Sequence, residues 1–342
     1  MALIPRIRPP GLADKRAFLE SGAPWHGDPP PRCIETHASL VFLTTTRVFK
    51  LKKPCRLPHA DMRSLAARAR LCAEELRLNR AMAGEVYRGL VALVQTPEGG
   101  LALGGPGRIV DWLVEMARLP ASAMLDCRLI QGPPPTAPEI TDFGRVMITF
   151  YRRQIAPPGA GQTYFTRLAR EMATDLAHLH QMRAHLGGAL CDSMLARARD
   201  ALARARPLIL ARGAAGLVIE GHGDLRAEHV CLIRPPLAFD RVEFDHDFRL
   251  IDPHDEMLGL GLDCRLLGAD WIGPALSAQL DGAGFPAPCP ELAQVYAATR
   301  CLTQARLAID HLRDPNPRTP RKWAPRAQRF LAMATALLAP LG

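Results

Sequence analysis

The sequence predicts an α+β protein of two lobes, a small β-rich N-terminal lobe with one main helix and a larger, mostly helical C-terminal lobe. Three observations predict it. Apolar runs of strand-like period cluster between residues 39 and 117. One long stretch of helical spacing, 62–83, interrupts them. Beyond PPPTAPE (133–139), helical spacing dominates over 139–212 and again over 255–341, around a compact β-rich insert at 217–252. A chain of 342 residues is long enough for two such bodies. Its 48% hydrophobic and 23% charged residues place it among ordinary globular proteins.

Each element has its own signal. Residues 1–35 are Pro-rich, with DPPPR at 28–32 and a short helical candidate LADKRAFLES (12–21), and read as an extension wrapped on the surface. The N-lobe then runs over 36–118. SLVFLTTTRVFKLKK (39–53) is two β-rich runs around a polar turn, the pattern of a hairpin. The helix over 62–83 carries apolar residues at 65, 66, 69, 72, 73 and 76. VYRGLVALVQ and GLALGG (86–105) form a second β pair around TPEGG, and RIVDWLVEMARLP (108–120) is a further strand running into a linker. The C-lobe occupies 119–342 and includes the insert 217–252.

Charge and cysteine usage exclude several classes. The net charge is +9, but Arg is scattered along helices and no block of five like charges occurs, so nucleic acid is not expected as a partner. Nine cysteines stand singly without C-x-x-C, which suits small buried residues in a reducing compartment. The N-terminus has charges and prolines where a signal peptide needs an apolar stretch, and no run of 18 apolar residues occurs. A cytoplasmic location with no membrane partner is the expectation.

Lysine is rarer than arginine, five against 38, and three of the five fall in VFKLKKP (48–54). On a strand Val48, Lys50 and Lys52 share one face while Phe49 and Leu51 take the other. Such lysines can hold phosphates as compact charges or simply guard a sheet edge. The following helix offers Glu74 and Glu75 in ARLCAEELRLNR, and a carboxylate packed behind the strand can fix an ammonium toward a nucleotide.

Phosphoryl transfer to a hydroxyl needs a carboxylate at the hydroxyl proton and oxygen ligands for a metal ion on the phosphates. IEGHGDLRAEHVCLI (219–233) presents Asp224 on a tight turn after an apolar run, and Asp240 follows LAF sixteen residues later. That separation suits adjacent strands, with one carboxylate as base and the other on Mg²⁺.

HGDL…H followed by FD, with VFK and AEELRLNR upstream, resembles the aminoglycoside phosphotransferase and choline kinase type of protein-kinase-like fold. ETHASLVFL and RVFKLKKP are similar to a bacterial branch whose members often carry an added P-loop ATPase domain. The chain has no G-x-x-x-x-G-K-[ST], so it is expected to be the kinase-like domain alone, with a separate P-loop ATPase as a partner by analogy. The resemblance covers about 34–310, including YAATRCLTQAR (296–306), and implies ATP with Mg²⁺, or Mn²⁺ in its place. It implies Lys50, in preference to Lys52, as the ATP lysine, paired with Glu75, and Val48 over the adenine. It implies Asp224 as the catalytic aspartate, His222 as the structural histidine of its loop, and Asp240 on the metal. The backbone of Val114, Glu115 and Met116 is the implied adenine hinge. THAS, with Thr36, His37 and Ser39, takes the place of a phosphate-covering loop.

One departure is plain. Where the resembled loop ends in a metal-binding Asn, this chain has His229, and Mg²⁺ favours hard oxygen ligands over imidazole. Glu228 or Asp245 could supply the oxygen, or one metal suffices; otherwise catalysis is lost and a nucleotide-binding or scaffolding pseudokinase remains. A literal DFG at Asp142–Gly144 lies in EITDFGRVMITFYRR, whose spacing is helical, and is a chance match. His178 and His180 in one helix point to different faces and read as structural. DPHDE (252–256) resembles the segment whose carboxylates cap a helix and hold the catalytic loop. The expected activity is transfer of the γ-phosphoryl of ATP to a hydroxyl of a small molecule whose identity the sequence does not specify.

Overall fold

The computed structural model describes residues 8–25, 27–57, 59–187, 192–313 and 319–339. The chain packs as two units: one reaches to Met124 and takes in Leu237–Asp245, the other holds Leu125–Pro236 and runs on from His246. The division falls after residue 124 instead of 118, and it cuts through the β-rich insert that the sequence reading kept whole. Leu237–Asp245 joins the first unit because its carboxylates and backbone find their partners there, as described below.

In the first unit a helix α1 (Leu12–Glu20) precedes strands β1 (Arg32–Glu35), β2 (Ser39–Leu43) and β3 (Arg47–Lys52). A two-residue hairpin follows, β4 (Arg56–Leu57) with β5 (Ala60–Asp61), then helix α2 (Leu65–Ala83) and strands β6 (Tyr87–Gln95), β7 (Leu101–Leu103) and β8 (Arg108–Ala117). The main sheet has the order β1-β2-β3-β8-β6-β7, antiparallel throughout. The predicted hairpin over 39–53 is β2 and β3, closed by Thr44, whose hydroxyl accepts from Arg47 N at 3.1 Å.

Alternation on β3 separates the two faces of the sheet. Phe49 and Leu51 enter an apolar core with Leu40, Phe42, Leu93 and Leu113. That core also contains Leu19 and Trp25, so residues 12–25 seal one face of the sheet instead of wrapping its surface as expected. The physical reason is that Phe42, Phe49 and Leu51 need cover on the side away from α2. Lys15 of α1 completes the seal, donating to Asp111 Oδ2 at 2.8 Å and Val110 O at 2.9 Å.

Helix α2 begins at Ser64, whose side chain accepts from Ala67 N. The apolar spacing located this helix but not its buried face. The buried residues include Arg68, Glu75 and Asn79, and each of these polar groups is paired, Arg68 by the Asp111 carboxylate at 2.8 and 2.9 Å.

The second unit begins with α3 (Leu125–Ile130), α4 (Ala137–Arg152), α5 (Ala160–Gln181), α6 (Arg183–Leu186) and α7 (Asp192–Ala214). Short strands follow, β9 (Ile219–Glu220) and β10 (Val230–Cys231), then β11 (Leu237–Ala238), which belongs to the first unit. The chain returns through α8 (His246–Arg249) and β12 (Leu250–Ile251) to helices α9 (Pro253–Leu266), α10 (Ile272–Gly282), α11 (Pro290–Asp310) and α12 (Pro320–Leu337). β9 pairs antiparallel with β12, which ties the start of the 219–233 segment to the base of α9. Helices α5 and α7 cross so closely that a Cβ on Gly213 would lie 2.4 Å from Gly161 Cα. The DFG triplet lies inside α4, as its spacing required. No helix among the described residues is long and apolar enough to cross a membrane. Cys191 lies outside the described residues, and the other eight cysteines are unbridged, with Cys72, Cys231, Cys264 and Cys301 buried.

Candidate active site

The alternation that buries Phe49 and Leu51 turns Lys50 and Lys52 toward α2. Lys50 Nζ lies 2.9 Å from Glu75 Oε1 and 2.6 Å from Asp240 Oδ1. Lys52 Nζ lies 2.6 Å from the other oxygen, Glu75 Oε2, and also pairs with Glu243. Burial works against both ammonium charges, but Asp240, Glu75 and Glu243 outweigh it and raise both lysines above their usual values. Burial likewise disfavours the Glu75 carboxylate, and the two lysines overcome it and hold its pKa low. Lys50, Lys52 and Glu75 are therefore charged near neutrality. Exposure separates the lysines: the Lys50 side chain is 15% accessible and Lys52 only 2%.

The segment that carries Asp240 is suspended from the first unit by polar bonds. Asn79 Oδ1 accepts from Arg241 N at 2.9 Å, and Tyr87 hydroxyl accepts from Asp240 N at 3.2 Å. Asp240 itself adopts φ 65, a left-handed conformation that Asp tolerates better than most residues. Its side chain stays 37% accessible. Among the described residues no group of three or more His, Cys, Asp or Glu is arranged to hold a metal on its own. A single accessible carboxylate fits an ion of the Mg²⁺ kind, which takes one or two protein oxygens and completes its shell with phosphate and water.

Glu243, Asn79 and Tyr87 were not anticipated. Asn79 had a signal, since it stands four residues after Glu75 and shares its helical face. Glu243 had none, because its partner Lys52 is 191 residues away.

Thr36 and Ser39 close a tight turn between β1 and β2. Thr36 N donates to Ser39 O at 2.8 Å, and Thr36 Oγ1 accepts from Ser39 N at 2.9 Å. Lys53 Nζ ties the turn down through Thr36 O at 2.7 Å, and His37 is exposed at its tip. Val114, Glu115 and Met116 are the residues expected as an adenine hinge. These residues lie in β8 with β3 paired on one side and β6 on the other, so their backbone groups are committed to the sheet.

The second unit builds the loop 221–229. Glu256, in the first turn of α9, accepts from His222 N at 3.0 Å and Gly223 N at 2.7 Å. Tyr151 hydroxyl donates to the same carboxylate at 2.7 Å. Burial and Glu256 push the Tyr151 pKa well above its usual value, which keeps it a donor. Gly221 is required by the closeness of this clamp, for a Cβ there would stand 2.5 Å from Ile251 Cγ2 and 2.8 Å from Glu256 Oε2. The expected work of DPHDE is thus divided. Asp252 caps α9 by accepting from His254 N at 2.9 Å, Asp255 holds Arg300 at 2.8 and 2.9 Å, and Glu256 holds the loop.

His222 is buried, and its Nδ1 accepts from Asp224 N at 3.3 Å. The Asp224 side chain is 41% accessible and lines a small pocket together with Arg226, Gly259, Asp263, Arg300 and Gln304. His229 Nδ1 lies 2.6 Å from Asp224 O, and its Nε2 lies 3.3 Å from Arg226 Nη2. The ring is 95% buried against the loop and stacks on His222 with centroids 5.6 Å apart. A carbonyl only accepts, so Nδ1 carries the hydrogen and Nε2 receives one from Arg226. His229 thus braces the loop with both nitrogens, and the metal role suggested for it does not follow from this arrangement. Glu228, offered as its substitute, pairs with Arg226.

The structure therefore gathers Lys50, Glu75 and Asp240 within the first unit, and His222, Asp224 and His229 within the second. No family model matches the chain. Among curated proteins it aligns over 308 residues, 88% of its own length, at 28% identity with the uncharacterized proteins Rv2004c of Mycobacterium tuberculosis and Mb2027c of Mycobacterium bovis. The alignment takes in 58% of each, so the chain spans little more than half the length of the curated relatives it matches. Among solved structures, the GDP and kanamycin complex of APH(2")-IIia superposes with a TM-score of 0.52, covering 94% of this chain and 98% of the other, at 13% identity. Plasmodium vivax ethanolamine kinase superposes with a TM-score of 0.51, covering 91% and 82%, at 8% identity. At such identities these likenesses speak for architecture, and the chain has the kinase-like α+β fold found in aminoglycoside phosphotransferases and ethanolamine kinases.

Proposed function

We propose that the protein is a phosphotransferase that moves the γ-phosphoryl group of ATP to a hydroxyl of a small molecule. The observation that carries this reading is Asp224: its loop backbone is clamped by Glu256, while its carboxylate remains accessible at the wall of a pocket. A rigid loop with an open carboxylate is what orientation of a hydroxyl requires. The acceptor oxygen bonds to the γ-phosphorus as the bond from that phosphorus to the β,γ-bridging oxygen breaks. The electron pair leaves with ADP, and the hydroxyl proton passes to Asp224 Oδ. Lys50 holds phosphate oxygens, oriented by Glu75, and Asp240 offers a carboxylate to a divalent ion of the Mg²⁺ or Mn²⁺ kind. That ion, when bound, neutralises charge on the phosphate oxygens.

GTP belongs in the same test, since the solved APH(2")-IIia complex contains GDP. The purified protein is expected to release ADP or GDP when a panel of small hydroxyl compounds is supplied with nucleotide and Mg²⁺. Asp224→Ala should abolish turnover while the nucleotide still raises Tm in a Mg²⁺-dependent way. His229 favours a second reading, a module that binds nucleotide without turnover. Nucleotide-dependent stabilisation with no turnover on any acceptor, identical in the parent and in Asp224→Ala, would establish that second reading and sink the first.

A further inference from the structure

The loop 224–229 holds a positive charge of its own beside the proposed base. Arg226 Nη2 lies 3.2 Å from Asp224 Oδ2 and 3.3 Å from His229 Nε2, and Nη1 pairs with Glu228 Oε1. His229 is fixed in turn by its Nδ1 on Asp224 O, at 2.6 Å. Arg226 also lines the pocket that Asp224 faces.

This arrangement does not fit a second divalent ion on the loop. The Nε2 lone pair of His229 is directed at a guanidinium, and imidazole is a poor ligand for Mg²⁺. A cation entering there would displace Arg226 and meet its fixed charge at short range. The Asp224 oxygen nearest to Arg226 is already paired with that guanidinium, at 3.2 Å. A guanidinium cannot lose its proton in a protein, so this positive charge is permanent.

We infer that Arg226, positioned by His229 and Glu228, is a built-in monocation that stands in for a second metal ion at the catalytic loop, so that the protein works with one divalent ion per nucleotide. The inference rests on the phosphotransferase reading. Arg226 would supply fixed positive charge where phosphoryl oxygens and Asp224 meet, and His229 is a positioning residue that acts through it.

The test counts ions. The full-length chain, saturated with a non-hydrolysable ATP analogue, is titrated with Mn²⁺ while free Mn²⁺ is followed by its electron paramagnetic resonance signal. One bound Mn²⁺ per nucleotide is expected for the parent, and also for Arg226→Lys, which keeps a positive charge. The double variant Arg226→Met/His229→Asn, which removes the charge and supplies an amide oxygen, should bind two. Two ions in the parent would overturn the inference and leave the phosphotransferase reading standing. A single ion in the folded double variant would also overturn it, because the exclusion would then not come from Arg226. Absence of any nucleotide binding in the parent would remove both.

Discussion

Lys50 and Lys52 stand two residues apart on one strand and share the Glu75 carboxylate, yet their surroundings divide the work between them. The Lys50 side chain stays 15% accessible and is proposed to exchange Asp240 for a phosphate, whereas Lys52 is enclosed between Glu75 and Glu243. Lys50→Ala should therefore leave Tm of the ligand-free protein within a few degrees of the parent and abolish the rise in Tm with Mg²⁺ and nucleotide. Lys52→Ala leaves buried carboxylate charge short of a partner and should cost on the order of 3 kcal/mol, a fall of several degrees in Tm. Melting curves with and without nucleotide separate the two; a destabilised Lys50→Ala with intact nucleotide response would reverse the assignment. The strand alternation put both lysines on one face, and the choice of Lys50 between them came from the resemblance; the existence of a second, structural lysine pair was not legible. It depends on Glu243, which no local pattern connects to β3.

Helix α4 shows the same contrast at the scale of an element. The sequence reading began its helical spacing at 139, and in the structure Thr136 and Glu139 form a capping box that starts the helix at Ala137. The partner that strengthens it, Arg128, lies on α3 and donates to both Glu139 oxygens at 2.7 and 3.0 Å. Arg128, opposed by slight burial and helped by Thr136, lowers the Glu139 pKa from 4.5 to about 2. A depressed folded-state pKa means stability that is fully present above the unfolded value and is lost as pH falls through the folded one. Glu139→Gln should cost about 1 kcal/mol near neutrality. The difference in Tm between parent and variant should shrink as pH is lowered from 4.5 toward 2. A pH-independent difference would contradict the assignment to charge. On α2 the legible part was also the element and not its orientation: apolar spacing found the helix, while Arg68, Glu75 and Asn79 took the buried face because each found a partner there.

At the scale of the molecule, Leu237–Asp245 packs with a unit whose other residues end at Met124. The first unit is thus incomplete without a segment more than a hundred residues downstream, which brings Asp240 to Lys50 and Glu243 to Lys52. A fragment ending at Met124 is expected to lack a cooperative thermal transition, even though it contains the whole main sheet. Circular dichroism during heating checks this; a sharp two-state melt of the fragment would show that the downstream carboxylates are dispensable.

The sequence by itself determined the fold class, the strands and helices, and the chemistry-bearing residues on regular elements, because strand and helix periods fix which neighbours share a face. Lys50 and Glu75 were placed on their elements for that reason, whereas Asp224 and Asp240 were singled out by the turns that carry them, and the roles of all four by the resemblance. Tertiary structure alone decided which charges meet. It set Glu243 on Lys52, Asn79 and Tyr87 on the Asp240 segment, and Glu256 under the Asp224 loop, through contacts between residues far apart in the chain. It also turned His229 from a candidate metal ligand into a brace for Arg226, since only the folded loop shows where an imidazole's two nitrogens point.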